Sequence, residues 1–225
     1  MLDFIYEYIV KNDFKIKEHL SSDFHDIFLI EDILKNKKLI KYIKGKRRPK
    51  IVIKDIYYRL LKQSHKNIIS IYDIVEIEND FFIIMEYFEG INLNKYIKQN
   101  FYTSINISIF RSIFNDIANT IDFINNIGLM HTDIIGHNIL INDMLEIKII
   151  DFDFAIILEN ENFVNIDVQS FIIMFFQYVN EYNYLNNKYN LYENTNIFNF
   201  NNYELEMNSC NTFLNSLDFF NKEFQ

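Results

Sequence analysis

The spacing of hydrophobic and polar positions changes near residue 90 of this chain. Before it, short apolar runs separated by polar turns predict β-strands, at residues 27–30, 39–43, 71–75 and 81–85. One helix is predicted among these strands, over residues 51–62, and it begins just after Pro49. The pattern therefore predicts a β-rich first part that contains one helix.

After residue 90 the apolar residues are spaced as in helices. In residues 105–126 isoleucine recurs every three or four positions, at Ile109, Ile113, Ile117, Ile121 and Ile124. This spacing marks an amphipathic helix, and Gly128 is placed to end it. Further helices are predicted over residues 166–179 and 212–220, and residues 180–202 read as loop or weak helix. The second part of the chain is therefore expected to be mainly helical.

A loop and a predicted β-hairpin follow the long helix and carry polar side chains at one end. The loop contains Asp133 and Asn138, the strands cover residues 139–141 and 147–150, and Asp151 follows the second strand. A hairpin of this length brings the loop before its first strand beside the residue after its second. An aspartate that accepts a hydroxyl proton, near an Asn and an Asp that bind Mg²⁺, is the minimum requirement for phosphoryl transfer.

Composition and charge exclude several other classes of protein. The 225 residues are 49% hydrophobic, which allows a sizeable core in one domain or two small lobes. A formal charge of −9 argues against broad binding to nucleic acid. The basic run at residues 44–50 is expected to be a solvated loop, with a docking patch for an acidic partner as the alternative.

Cysteine usage and hydropathy indicate an intracellular protein. The single cysteine, Cys210, excludes an internal disulfide framework and a Cys-rich zinc site, and it is most simply a reduced thiol. The sequence shows neither a signal peptide nor an apolar run long enough to span a bilayer. We therefore expect a soluble protein, most simply cytoplasmic, that does not enter the membrane.

The loop and hairpin resemble the protein-kinase-like superfamily. The catalytic loop of that family, H-x-D-x-x-x-x-N, is matched by His131, Asp133 and Asn138, and its metal-binding D-F-G or related triplet is matched by Asp151-Phe152-Asp153. His131 is expected to pack and hydrogen-bond the loop rather than do chemistry. The resemblance covers about residues 15–180 and is strong because the motifs occur in order and at hairpin spacing.

The resemblance implies a fold and its division. The expected fold class is α+β, a bilobal protein-kinase-like fold. Residues 1–88 would form a small β-rich N-lobe with one helix, and residues 89–225 a mainly helical, shortened C-lobe. Together the two lobes would make a single catalytic domain.

The resemblance also implies roles for single residues. Asp133 would accept or orient the proton of the attacking hydroxyl, and Asn138 and Asp151 would bind Mg²⁺ at the phosphates of ATP. Lys41 would contact those phosphates, with Lys44 as the alternative. The residues expected to contact the adenine or the ribose are Met85, Glu86, Phe88 and Asn92.

Three departures from the family pattern bear on the function. Residues 20–26, which match the glycine-rich phosphate loop, contain no glycine. Thr132 replaces the arginine that pairs with a phosphorylated activation loop, and the segment from Asp151 to Asp167 is short. We expect an active protein serine/threonine kinase with a protein substrate. The alternatives are a small-molecule kinase resembling aminoglycoside or choline phosphotransferases, and a pseudokinase that serves as a binding module.

Overall fold

The computed structural model describes residues 2–44, 48–78, 80–101, 107–158, 165–186 and 209–216. It divides into two compact units, Met1–Glu89 and Gly90–Gln225. Part of the predicted basic loop, residues 45–47, lies outside the described residues. No helix within the described ranges is long and apolar enough to cross a membrane.

The first unit is built on an antiparallel sheet of five strands in the order β1-β2-β3-β5-β4. The strands are β1 (Lys15–Ser21), β2 (His25–Glu31), β3 (Lys37–Ile43), β4 (Ile71–Ile77) and β5 (Asp80–Glu86). In β2 every second residue is buried, as the alternation of side chains along a strand requires. The four predicted strands correspond to β2 to β5, and β1 was not predicted.

Two helices pack in the first unit, where the sequence predicted one. Helix α1 (Leu2–Lys11) buries Ile5 and Ile9 against one face of the sheet, in a core with Phe28, Ile30, Ile40, Phe82 and Ile84. Helix α2 (Lys50–Leu61) corresponds to the predicted helix and buries Ile53, Ile56, Tyr57 and Leu60. Helix α1 was not predicted because its apolar residues extend well beyond the buried face: Leu2, Phe4, Tyr6 and Val10 are exposed.

The second unit consists of four described helices and five short strands. The helices are α3 (Leu93–Phe101), α4 (Ile107–Asn126), α5 (Ile166–Asn186) and α6 (Cys210–Ser216). The strands are β6 (Ile91–Asn92), β7 (Leu129–Met130), β8 (Ile139–Ile141), β9 (Ile147–Ile149) and β10 (Ile156–Ile157). Strands β6, β8 and β9 form one sheet, and β10 pairs with β7.

The predicted long helix and hairpin are present in this unit. Helix α4 buries Ile113, Ile117, Ile121 and Ile124, and Gly128 adopts φ 75 just after its end, a left-handed conformation that favours glycine. Helix α5 continues past residue 179, where the prediction ended it, and residues 217–220 of the last predicted helix lie outside the described part of the chain. The α+β class predicted from the sequence is confirmed.

Helix α6 is fastened to α4 by one carboxylate. Asp122 on α4 accepts hydrogen bonds from the Ser209 hydroxyl at 2.8 Å and from the Cys210 amide at 3.0 Å. The carboxylate thus satisfies backbone donors at the beginning of α6 that have no partner inside the helix. Cys210 is buried, and burial raises the pKa of its thiol well above the ordinary value.

Candidate active site

The loop between β7 and β8 holds Asp133 and Asn138 against each other. The Asn138 carboxamide donates to Asp133 Oδ2 at 2.8 Å and to the Asp133 carbonyl at 3.1 Å. The Asn138 amide donates to the Ile135 carbonyl at 2.9 Å, which closes the loop before β8 begins. Asn138 therefore fixes the orientation of the Asp133 carboxylate.

Asp151 lies at the same end of the β8–β9 hairpin. Ile139 is paired with Ile149, and the Ile150 amide donates to the Asn138 carbonyl at 2.9 Å. The backbone just before Asp151 is thus bonded to Asn138, as the hairpin length predicted. Asp151 has φ 66 and ψ 66, a left-handed conformation that Asp tolerates better than most residues.

His131 fixes the loop to the end of the hairpin. Its buried ring donates from Nε2 to the Ile150 carbonyl at 2.9 Å, and its Nδ1 accepts from the Asp133 amide at 3.3 Å. The edge of the ring packs against Phe152, with the ring centroids 4.5 Å apart. Burial lowers the pKa of His131, so the neutral form with its proton on Nε2 fits both contacts.

Asp167, at the beginning of α5, binds the backbone at the first residues of the loop. Its carboxylate accepts from the His131 amide at 2.6 Å and from the Thr132 amide at 2.7 Å. Burial raises the pKa of Asp167, although these donors act in the opposite direction. Thr132 has φ 65, so this strained backbone depends on the two bonds to Asp167.

The segment after Asp151 is held by backbone pairing. Phe152–Phe154 form one 3₁₀ turn, and β10 then pairs with β7. The Thr132 hydroxyl donates to the Phe154 carbonyl at 2.9 Å. The residue that replaces the family's arginine therefore fixes this segment directly, without a phosphate. Residues 159–164 lie outside the described ranges.

In the first unit, Lys41 and Lys44 have different surroundings. Lys41 on β3 pairs with Ile27 and Ile83, and it is 6% exposed, so its charge lies in a mainly apolar row of the sheet. Lys44 donates to the Ser22 carbonyl at 2.6 Å and lies 3.2 Å from Asp26. Lys44 thus binds the β1–β2 turn.

The β1–β2 turn, where the family has its glycine-rich loop, is closed by side chains. The Ser22 hydroxyl accepts from the amides of Phe24 and His25, each at 3.2 Å. Asp26 is 1% exposed; burial acts to raise the pKa of its carboxyl, but hydrogen bonds from Ser21, Lys44 and His19 hold that pKa below its ordinary value. The turn thus takes its shape from hydroxyl and carboxylate contacts instead of glycine.

The residues expected at the base and ribose of ATP occupy the end of β5 and the beginning of α3. Met85 is buried, and the Glu86 amide donates to the Ser70 carbonyl at 2.9 Å while its carboxylate accepts from the Ser70 amide at 3.1 Å. Phe88 is half-buried. In the second unit, Asn92 Oδ1 accepts from the Lys95 amide at 2.9 Å and so caps α3.

The donor set of Asn138 and Asp151 suits Mg²⁺, which prefers oxygen ligands. Within the described ranges no group of three or more His, Cys, Asp or Glu side chains is placed to bind a metal. A Mg²⁺ ion held by these two residues would therefore need further oxygens from water or from a phosphorylated ligand. The residues present fit a nucleotide-dependent metal site better than a permanent one.

Comparison with known proteins identifies relatives. The family described as "Protein kinase domain" matches residues 22–197. The serine/threonine-protein kinase PrkC of Bacillus subtilis is 38% identical over 91 residues, which cover 40% of this chain and 14% of PrkC. The probable serine/threonine-protein kinase PknB of Lactococcus lactis is 31% identical over 98 residues, 44% of this chain and 15% of that protein. The serine/threonine-protein kinase CST20 of Candida albicans is 29% identical over 133 residues, 57% of this chain and 10% of CST20. The chain thus matches only a small part of the length of these relatives.

Proposed function

We propose that this chain, which belongs to the protein kinase domain family, is an ATP-dependent phosphotransferase that phosphorylates serine or threonine hydroxyls of proteins. Its relatives PrkC, PknB and CST20 are named serine/threonine-protein kinases, which supports a protein acceptor over a small molecule. The observation that carries the proposal is the hydrogen-bonded pair of Asp133 and Asn138, tied through Ile150 to the backbone before Asp151.

In this proposal Asp133 is the group that takes the proton of the attacking hydroxyl. A carboxylate does this only when it lies within hydrogen-bonding reach of the nucleophile and keeps a fixed direction. The bond from the Asn138 carboxamide to Asp133 Oδ2 fixes that direction. Asp167 supports the same loop through the amides of His131 and Thr132, so the loop needs little reorganisation before transfer.

Asn138 and Asp151 would hold Mg²⁺, which supplies positive charge at the phosphate oxygens. The amide of Ile150 bonded to the Asn138 carbonyl keeps the two ligands at one end of the hairpin. Lys41 would contact the phosphates, because it lies on β3 at the position where the resemblance places the phosphate-binding lysine of the family. Contacts to the adenine and the ribose are proposed for Met85, Glu86, Phe88 and Asn92.

A pseudokinase is the second candidate, and the β1–β2 turn favours it. Glycine lets backbone amides approach phosphates closely, and this turn has none. The Ser22 hydroxyl already accepts from the amides of Phe24 and His25, which are donors that a phosphate loop would offer to its ligand. A chain of this kind would bind a partner protein and transfer no phosphate.

The test is transfer of radiolabelled γ-phosphate from ATP to casein and to myelin basic protein. Asp133→Asn is expected to lower kcat by about a hundredfold or more, the range of general-base catalysis. The matched control is Asp143→Asn, the same change in the exposed turn of the same hairpin, and it is expected to keep the wild-type rate. Equal rates for wild type and Asp133→Asn would contradict the role of Asp133. A wild-type protein that transfers no phosphate to either acceptor or to itself would favour the pseudokinase.

A further inference from the structure

A second set of hydrogen bonds attaches the loop that carries Asp133 and Asn138, and no sequence pattern indicates it. In the second unit, the Asn94 carboxamide on α3 lies between two partners. It is hydrogen-bonded to the Tyr178 hydroxyl on α5 and, through Nδ2, to Nδ1 of His137 at 2.8 Å. His137 directly precedes Asn138, so the chain of bonds ends beside a proposed Mg²⁺ ligand.

The directions of these bonds follow from the chemistry of the three groups. The Tyr178 hydroxyl donates to Asn94 Oδ1, which leaves the Nδ2 hydrogens of Asn94 to donate to His137. A hydroxyl and an imidazole can each give or accept, whereas a carboxamide has one end of each kind. Asn94 therefore links a donor on α5 to an acceptor on the loop, a role that an aliphatic side chain cannot fill.

Gly136 makes this close approach possible. A Cβ atom at this position would overlap the Tyr178 hydroxyl and the Asn94 carboxamide. Gly128 is the glycine that has a positive φ among the described residues, so Gly136 is needed for space and not for an unusual backbone conformation. The two side chains thus occupy the volume that any other residue would fill in the middle of the loop.

Helix α5 consequently holds the loop at both ends. Asp167 binds the amides of His131 and Thr132, and Tyr178 follows Asp167 by about three helical turns, on the same side of α5. Tyr178 is itself buried and packs against Phe114 of α4, with the ring centroids 6.1 Å apart. A rigid helix therefore supports both the beginning of the loop and the residues just before Asn138.

We propose that Asn94, Gly136, His137 and Tyr178 form a loop clamp that positions Asp133 and Asn138 for phosphoryl transfer. The inference rests on the proposed kinase activity. The members of the loop clamp touch neither ATP nor the acceptor in this proposal. They act through the loop, so their loss lowers kcat while the KM for ATP changes little. A displacement of about 1 Å in catalytic groups costs up to about a hundredfold in rate.

The first experiment compares Asn94→Ala with Gln99→Ala, the removal of an exposed amide from the same helix. Asn94→Ala is expected to lower kcat by about tenfold or more, with the KM for ATP within about twofold of wild type. Gln99→Ala is expected to match wild type in both constants. An unchanged kcat in Asn94→Ala would overturn the proposal.

The second experiment asks whether Gly136 acts through Asn94 and Tyr178. Gly136→Ala alone is expected to lower kcat because the new methyl group displaces both side chains. Asn94→Ala and Tyr178→Phe together remove the groups that the methyl group would meet. In that double variant Gly136→Ala is expected to lower kcat little further. Losses of kcat that do not add in this way are typical of residues that share one packing site. Additive losses would overturn the proposed loop clamp.

Two replacements of His137 distinguish a role in positioning the loop from a role in folding alone. His137→Asn keeps an acceptor near the position of Nδ1 and is expected to retain most of kcat, whereas His137→Leu is expected to lose it. Melting temperatures are measured for both, since a purely structural role would lower them together. Equal kcat in the two variants would contradict the hydrogen bond from Asn94.

A readout that does not need activity keeps this inference distinct from the proposed function. Amide hydrogen exchange of residues 133–138 is expected to be faster in Asn94→Ala than in wild type or Gln99→Ala, because the loop loses an attachment. If wild type transferred no phosphate, the proposed function would fail, yet faster exchange would still support the clamp. Unchanged exchange in Asn94→Ala would overturn it.

Discussion

At the scale of the residue, burial influences the charge of the groups around the loop that carries Asp133 and Asn138. The neutral ring of His131 uses both nitrogens, donating to the Ile150 carbonyl and accepting from the Asp133 amide. A second proton would place an N–H group on Nδ1 directly opposite the Asp133 amide. Burial also lowers the pKa of His131, because removal of the ring from water disfavours its charged form.

This lowered pKa predicts a pH dependence of stability. An unfolded histidine takes up its proton near pH 6.5, whereas folded His131 does so only at lower pH, so the unfolded chain binds more protons as the pH falls. The stability that neutral His131 contributes is therefore present above about pH 6.5 and is lost as the pH falls through its folded pKa. The expected slope is at most about 1.4 kcal/mol per pH unit.

The measurement is urea unfolding at pH 7.5, 6.5 and 5.5 for wild type and His131→Gln. Glutamine retains a donor for the Ile150 carbonyl but does not titrate, so the variant is expected to lose stability less steeply as the pH falls. The other four histidines are present in both proteins, and the difference in slope therefore belongs to the replacement of His131. Asp167 is also present in both, and its raised pKa acts in the opposite sense, since that contribution is lost as the pH rises. Parallel pH curves would show that His131 is not the titrating group.

At the scale of the element, α1 is the largest part of the first unit that the sequence did not reveal. Its buried residues Ile5 and Ile9 lie on the same core as Phe28, Ile40 and Phe82. Val10, the next residue in the helix, is 75% exposed. The helix therefore offers a buried and an exposed aliphatic position that differ by one residue.

The contribution of α1 to stability is tested by Ile9→Ala beside Val10→Ala. Ile9→Ala leaves a cavity under the sheet and is expected to lower the free energy of unfolding by about 2–5 kcal/mol. Val10→Ala is expected to change it by no more than about 0.5 kcal/mol, as for most surface substitutions. Both are measured by urea denaturation, with Ile5→Ala as a second core probe. Similar small effects at both positions would mean that α1 is not docked on the sheet.

The elements that the sequence predicted are those whose apolar residues have a clear period or form a continuous run. Strand β2 buries every second residue, β5 buries the run Phe81 to Met85, and helix α4 buries isoleucines at helical spacing. Strand β1 gave no such signal because its side chains are almost all exposed at the edge of the sheet. A local pattern is clear only where apolar residues coincide with the buried face, so an exposed edge strand and a helix with exposed apolar residues are both missed.

Spacing alone predicted the candidate site only where its residues are close in sequence, whereas Lys41, Met85, Glu86, Phe88 and Asn92 were predicted from the resemblance. Asp133, Asn138 and Asp151 belong to one loop and hairpin, so their spacing alone placed them together. Asn94 and Tyr178 lie on two helices that meet only in the folded chain, and no local pattern links them. His137 is bonded to Asn94, which lies 43 positions earlier in the chain, so this contact has no local sequence signal.

At the scale of the whole molecule, the net charge predicts that binding of a nucleotide depends on a cation. The chain has a formal charge of −9, and ATP is itself strongly anionic, so the two repel each other at long range. Lys41 is a buried positive charge on β3, and the Lys44 ammonium lies 3.2 Å from the Asp26 carboxylate. Binding of ATP is therefore expected to need Mg²⁺ to offset the negative charge of both partners.

Thermal unfolding of the whole chain tests this dependence on Mg²⁺. A ligand that binds only the native state at about a hundred times its Kd stabilises it by about 2.7 kcal/mol. In a chain of this size that corresponds to a rise in Tm of roughly 5–10 °C. We expect such a rise with ATP plus Mg²⁺ and a much smaller rise with ATP alone.

Asp151→Asn is expected to lose the difference between the two conditions, and the control Asp143→Asn is expected to keep it. An equal rise with and without Mg²⁺ in wild type would show that Asp151 holds no metal at the nucleotide. The absence of any rise would instead favour the pseudokinase, in which the closed, glycine-free turn at Ser22 leaves no place for the phosphates.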